Sequence, residues 1–289
     1  MRARGPFSLR AAARFTDEFP AGQGGDDHAQ LDLAFAAGDN WTTVGVRVHE
    51  DLSADIVANP GALPADEIRG HVERILSLDV DGTGFAALAE HDPVVRDLQE
   101  HYPGLRPVQF HSPYEAAAWA IIGQRIRTTQ AAAIRTRIAT DRGDSVDFGD
   151  RRLPVFPAPD RLAGLGDFPG LTDRKVEQLQ ALGRAAGEGK LDAALLRGLP
   201  AEEALARLQT LAGIGPFSAE LILLRGAGHP DGFPTQEKRL HRAMATRYHL
   251  GPEPELKELE AIADGWRPYR TWISLLLRVW AADQGHEPR

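Results

Sequence analysis

The residues with the plainest chemical meaning are Gly213, Ile214 and Gly215, followed by Pro216 and Ser218. Two glycines one residue apart let the backbone turn sharply, because neither has a Cβ in the way. In such a hairpin successive N–H groups point outward, backed by the start of a helix. Pro suits a first helical turn, and Ser218 is placed to accept an orphan N–H. The result is an anion site suited to a phosphate. Nothing in it reads a base, so it grips any backbone of the right shape. Leu221 to Leu224 continue the helix, and Gly226 and Gly228 end it. A second signal follows in Asp231-Gly232-Phe233-Pro234, then the carboxylate Glu237, then Lys238, Arg239 and Arg242. Glu237 also suits the first turn of a helix, and Asp231 suits a loop or a helix cap.

A Gly-x-Gly pair alone fits any helix-connecting turn. Joined to D-x-F-P at this spacing, it is far more specific. The stretch L-x-G-I-G-P-x-S-A, with D-x-F-P and a carboxylate behind it, resembles the helix-hairpin-helix DNA glycosylases. More narrowly it resembles the alkylpurine type, DNA-3-methyladenine glycosylase II. Gly123-Gln124-Arg125-Ile126-Arg127 is similar to that family's G-Q-x-[IV]-S loop, and Trp266-Arg267-Pro268-Tyr269-Arg270 to its W-x-P-[WY]-R signature. The likeness runs from about residue 68 to about residue 282.

The resemblance implies a mostly α, two-lobed helical fold with a small N-terminal α/β domain. It implies hydrolysis of the N-glycosidic bond of a damaged base, an alkylated purine in particular, flipped out of double-stranded DNA. On it, Gly213, Ile214, Gly215, Ser218, Gln124, Arg125 and Arg127 are DNA-binding residues. Arg125 takes the place of a wedge that is commonly apolar, and Arg127 that of a Ser. Glu237 matches the catalytic Asp, whose carboxylate stabilises the charge growing on the sugar and orients a water. Glu adds one methylene, a shift of about 1 Å, and misplacement of that size can cost about a hundredfold in rate. The base pocket falls to Phe217, often Trp in the family, to Leu221, often aromatic, and to Trp272 and Arg278. Family members that also nick abasic strands use a Lys where this chain has Phe217, so the resemblance implies a monofunctional enzyme. The competing reading is a non-catalytic damage- or structure-specific DNA-binding protein on the same scaffold. A helical interaction protein with no DNA role would leave hairpin, GQ loop and D-x-F-P unexplained together.

The elements that must position these residues follow from periodicity. Leu31, Leu33 and Phe35 alternate with polar or small neighbours, as do Val44, Val46 and Val48; between them Gly38-Asp39-Asn40 makes a hairpin turn. Phe7 and Leu9 suggest a further strand, and Ala21 to Asp27 a loop. From Pro64 the spacing turns helical, with Ile68, Val72, Ile75 and Leu76 on one face. Asp92-Pro93 starts a helix. Ser112 and Glu115 form a capping box with Pro113 at the first position. Residues 140–160 form a charged, Pro-rich loop; Leu171 to Lys175 begin another helix, and Leu205, Leu208 and Leu211 lead into the glycine hairpin. The expected organisation is a β-rich domain over 1–66, one helical lobe over 67–111 and 225–289, and a second over 112–224.

The chain has no cysteine, which excludes disulfides, a thiolate zinc site and the iron–sulfur cluster of some glycosylases. Its 10 histidines lack metal-ligand spacing, so neither a catalytic metal nor a cofactor is expected. A net charge of −8 argues against a protein that coats nucleic acid, since that affinity rests on Lys and Arg. A DNA enzyme must then segregate its charge; Arg125, Arg127, Arg135 and Arg137 mark such a face, or else a solvated helix face. No run is long enough to span a bilayer, and the N-terminus lacks an apolar signal core. The expectation is a cytoplasmic monomer.

Overall fold

A computed structural model describes residues 1–18 and 30–285 of the chain. The fold is mostly α with one small N-terminal sheet. Strands β1 (Gln30–Ala37), β2 (Thr42–His49) and β3 (Ala54–Ala58) form an antiparallel sheet in the order β1-β2-β3. Ala37 pairs with Thr42 across the expected turn, where Gly38 takes φ +73°. Phe7 and Leu9 do not begin a strand. The Ser8 hydroxyl accepts the Ala11 N–H (3.2 Å), and helix α1 runs over Leu9–Glu18. Leu9, Ala12, Ala13 and Thr16 are buried at helical spacing, so a capped, Ala-rich segment outweighs two alternating apolar residues. The loop expected at Ala21 to Asp27 lies outside the described residues.

The sheet is covered on both faces. Leu31, Leu33 and Phe35 pack on α1 and on α2 (Ala65–Ile75) through Ile68, Val72 and Ile75. Thus α2, which the boundary at 66/67 assigns to a helical lobe, packs with the sheet. The opposite face, Ala34 and Ala36, packs on Val146, Phe148 and Val155. These residues belong to a second hairpin, β4 (Ser145–Asp147) and β5 (Arg152–Pro154). Residues 140–160 are therefore not all loop. Two three-residue strands are too short to show periodicity, and their partner face is distant in sequence.

The remaining helices divide between two apolar clusters. The first gathers α4 (Pro113–Ile122), α5 (Thr128–Arg142), α6 (Pro159–Ala163), α7 (Asp173–Gly187), α8 (Ala193–Gly198), α9 (Ala201–Gln209) and α10 (Pro216–Leu221), with a π-helical turn over Ile222–Gly226. The second joins α3 (Pro93–His101) to α11 (Lys238–Arg247), α12 (Leu256–Asp264) and α13 (Arg270–Asp283). The chain thus crosses into the first cluster after residue 110 and returns through the stretch between the π turn and α11.

Buried arginines pin these bodies together. Arg74 of α2 donates to the carbonyls of Phe110 (3.1 Å), Gly226 (2.8 Å) and His111. Burial pulls its pKa down to about 10, still charged at neutral pH. Arg106 donates to the carbonyls of Pro6, Ser77 and Arg4 and lies 4.8 Å over the Trp272 ring. A buried guanidinium spread over several carbonyls is costly to remove or leave unmatched.

Candidate nucleic-acid interface

Between α9 and α10 the chain turns through Gly213-Ile214-Gly215. Gly213 holds φ +83°, and a Cβ there would come within 2.6 Å of the Gln178 side chain, so glycine is required. Gly215 differs: its φ is −95°, and a Cβ would meet nothing within 4 Å. That open space is what lets a backbone approach. Gly215 is the N-cap of α10 with Pro216 in the first turn, and no side chain caps this end. Ser218 therefore does not cap, which corrects the sequence expectation. Nor is Ile214 a phosphate ligand through its amide. Its N–H closes the turn onto the Leu211 carbonyl (3.1 Å), and its side chain is buried in the first cluster.

Facing the hairpin is the loop after α4. The expected capping box is half formed: the Ser112 hydroxyl accepts the Glu115 N–H (3.1 Å). The Glu115 carboxylate turns inward instead, to Arg135 (2.8 Å) and His111 (3.6 Å). Burial opposes its ionisation, but the His111 and Arg135 charges and hydrogen bonds outweigh burial and hold it at about 2. Arg135 is consequently a core ion-pair partner and not part of a basic face. Helix α4 ends at Gly123. Gln124 Nε2 donates to the Gly213 carbonyl (2.8 Å), tying loop to hairpin. Lys175 of α7 donates to the carbonyls of Ile122 (2.7 Å) and Gln124 (2.8 Å), and burial lowers its pKa. Arg125 is exposed, with φ +58°. Arg127 is exposed and stands at the N-cap of α5 with no side-chain cap.

Glu237 lies at the N-cap of α11, half-exposed, its Oε1 accepting the Arg239 N–H (3.2 Å). The segment leading to it is held from α10. Glu220, buried, accepts the backbone N–H groups of Thr235 (3.0 Å) and Gln236 (3.0 Å) and the Thr235 hydroxyl. Sequence reasoning missed Glu220. Its one signal is a carboxylate at the head of the apolar run Leu221 to Leu224. Asp231, expected in a loop role, pairs with Arg270 (2.7 Å) and Arg267 (3.0 Å). Thr271 adds a bond to the His229 carbonyl (2.8 Å). The D-x-F-P and W-x-P-Y-R stretches thus lock one another.

Of the four residues expected to form a base pocket, Phe217 and Leu221 stand one turn apart on α10, while Trp272 belongs to the second cluster. Phe217 is 49% exposed beside the hairpin. Leu221 packs half-buried on the first cluster, and Arg278 is half-buried. Trp272 is 1% exposed, edge-on to Phe85 (5.0 Å) and under Arg106. It is a core residue, shut off from any stacking partner, and its assignment to the pocket is corrected. A groove of about 330 Å³ lies instead between α11 and α13, lined by Arg239, Arg242, Thr246, Leu250 and Trp280 among others. Among the described residues no three His, Asp or Glu side chains converge as metal ligands, and no helix is long and apolar enough to cross a membrane.

Helices α9 and α10 flanking a glycine turn, set within two helical clusters beside a small sheet, are the fold of the helix-hairpin-helix DNA glycosylases. The comparisons with known proteins agree with that class in sequence as well. A DNA-3-methyladenine glycosylase of Bacillus subtilis (strain 168) is 25% identical over 217 residues, 73% of this chain and 71% of the relative. DNA-3-methyladenine glycosylase 2 of Escherichia coli (strain K12) is 28% identical over 190 residues, 64% of this chain and 63% of that one. The chain therefore spans less than two thirds of the length of the second relative. Among solved structures, a 3-methyladenine DNA-glycosylase from Archaeoglobus fulgidus superposes with a TM-score of 0.81 at 19% identity, over 98% of this chain and 97% of that one. No family model matches the chain.

Proposed function

We propose that the protein is a monofunctional DNA glycosylase, acting as a monomer on double-stranded DNA to release damaged bases, alkylated purines first among them. The observation that carries this reading is one hydrogen-bonded path. Gln124 ties the wedge loop to Gly213, α10 begins at Gly215, and Glu220 on that helix holds the segment before Glu237. Grip, wedge and carboxylate are mutually fixed. The names of the two sequence relatives support the choice of substrate.

The chemistry follows from these groups. Phosphate seats on the uncapped N-terminus of α10 beside Gly215. Arg125, presented by a left-handed loop residue, fills the gap that the flipped base leaves and adds attraction for phosphate. The C1′–N bond then breaks, and its electron pair leaves with the base. An alkylated purine carries a positive charge, so it departs neutral without needing a protonating acid; one carboxylate suffices. Glu237 faces the developing sugar cation and orients the attacking water. Phe217 has no amine to form a Schiff base, so abasic strands stay intact.

The test is base release from dimethyl sulfate-treated duplex. Glu237→Gln should reduce release by about 10²- to 10³-fold while binding to abasic-site DNA survives. Glu237→Asp should also slow release, because the site is built around the longer side chain. Faster release by Glu237→Asp would instead show a geometry decayed from an Asp enzyme. A wild type that binds damaged duplex tightly but releases no base would favour the non-catalytic reading, in which Glu237 merely caps α11.

A further inference from the structure

We infer that Glu220 is the positioning residue for Glu237, through which the hairpin helix sets the place of the reacting carboxylate. The inference rests on the proposed function, with Glu220 acting through Glu237 and not on substrate.

Glu220 sits in α10, five residues past the N-cap Gly215, and is 8% exposed. A carboxylate so buried is expensive unless its oxygens are matched by donors. Each oxygen is matched from a single short segment. Oε1 takes the Thr235 N–H (3.0 Å) together with the Thr235 hydroxyl, and Oε2 takes the Gln236 N–H (3.0 Å). Those amides belong to the two residues immediately before Glu237. From the other side, the Glu237 carbonyl accepts the His241 N–H (3.1 Å), and His241 Nε2 lies 3.2 Å from the Pro234 carbonyl. The backbone at Glu237 is thus clamped by α10 ahead and by α11 behind.

The clamp matters because Glu is a long side chain with three rotatable bonds. Its carboxylate lands correctly only if its Cα is fixed and its rotamer is held by the Arg239 N–H. A drift of about 1 Å at the reacting group costs about a hundredfold in rate. Glu220→Gln keeps shape and volume but turns one acceptor into an NH2 that meets a backbone N–H, so the clamp loses one side. Thr235→Val removes only the hydroxyl and should be milder.

The experiment combines kinetics with amide exchange. Single-turnover base release from dimethyl sulfate-treated duplex is measured for wild type, Glu220→Gln, Glu237→Gln and the double variant, alongside affinity for abasic-site duplex. Glu220→Gln should slow release by about 10- to 100-fold with affinity within about threefold of wild type. The double variant should be no slower than Glu237→Gln alone, as for residues acting as one unit. Release within twofold of wild type, a parallel loss of DNA affinity, or a multiplicative loss in the double variant would overturn the assignment. If wild type releases no base, the proposed function fails on its own, and exchange still decides the positioning. Glu220→Gln should then lose protection at the amides of Thr235, Gln236 and Arg239, the last reporting the Glu237 rotamer; unchanged protection at Arg239 sinks the inference.

Discussion

Arg125 shows how much a single residue can hold in tension. A φ of +58° is a region that non-glycine residues enter at a cost of about 1 kcal/mol or more. Nothing in the fold forces arginine there: the side chain is exposed, and glycine would turn the same corner without strain. The expectation is that Arg125→Gly gains thermal stability, by up to about 1 kcal/mol, while losing more affinity for abasic-site duplex than for intact duplex. Thermal melts and binding to the two duplexes at one salt concentration measure both. Equal losses on the two duplexes would reduce Arg125 to an ordinary phosphate contact. The same scale shows what sequence could and could not convey. Gln124, Arg125 and Glu237 are candidates because motif spacing names them. Glu220 and Lys175 are not, because Glu220 chiefly accepts backbone N–H groups 15 and 16 residues away and Lys175 donates to carbonyls 53 and 51 residues away, and no spacing rule encodes such partners. Trp272 illustrates a related limit: residue type says that an indole can stack, but only packing says that Phe85 and Arg106 already enclose it.

At the scale of the element, the glycine hairpin separates two roles that its sequence presents as one. Gly213 answers a demand of the fold, with positive φ and Gln178 against its Cα; Gly215 answers a demand for access, with empty space around it. Gly213→Ala should therefore lower stability by about 1–3 kcal/mol, from strain and the clash together. Gly215→Leu should leave the melt nearly unchanged, since capping preferences there amount to about 1 kcal/mol. It should nonetheless weaken binding to matched and damaged duplex alike, because phosphate contacts hold no sequence information. Urea melts with direct binding assays separate the pair, and an unchanged affinity in Gly215→Leu would remove the hairpin from the interface. Some helix starts are legible from their caps. Asp92 and Thr172 accept N–H groups at the helix starts read for them. The helix at Leu9–Glu18 carries a Ser8 cap, but the alternation of Phe7 and Leu9 masks it; the β4–β5 hairpin has strands of only three residues.

Across the whole molecule, half-buried His71 and buried Glu115 both make stability depend on acid. His71 of α2 lies 5.9 Å from the Phe35 ring. Burial, with the Arg74 charge added, lowers its pKa from 6.5 to about 4. A depressed pKa means that the unfolded chain binds the proton first. The His71 contribution is therefore complete above pH 6.5 and is lost as pH falls toward 4. Glu115, at the N-terminus of α4, is held at about 2 against an ordinary 4.5, so its contribution is complete above pH 4.5 and is lost on the way to 2. The two windows are consecutive, and His229, whose pKa burial also lowers, acts in the same direction as His71. Unfolding free energy measured by urea from pH 7 to pH 3 should fall continuously. In His71→Leu the slope between pH 6.5 and 4 should flatten by nearly one proton, about 1.4 kcal/mol per pH unit at most, while the steep loss below pH 4.5 remains. Glu115→Gln should show the converse, with a lower plateau at neutral pH because Arg135 is left buried and unpaired, and a shallower fall below pH 4.5. An unchanged slope in His71→Leu would show that the folded chain does not depress the His71 pKa, and the acid dependence would then rest on Glu115 and His229.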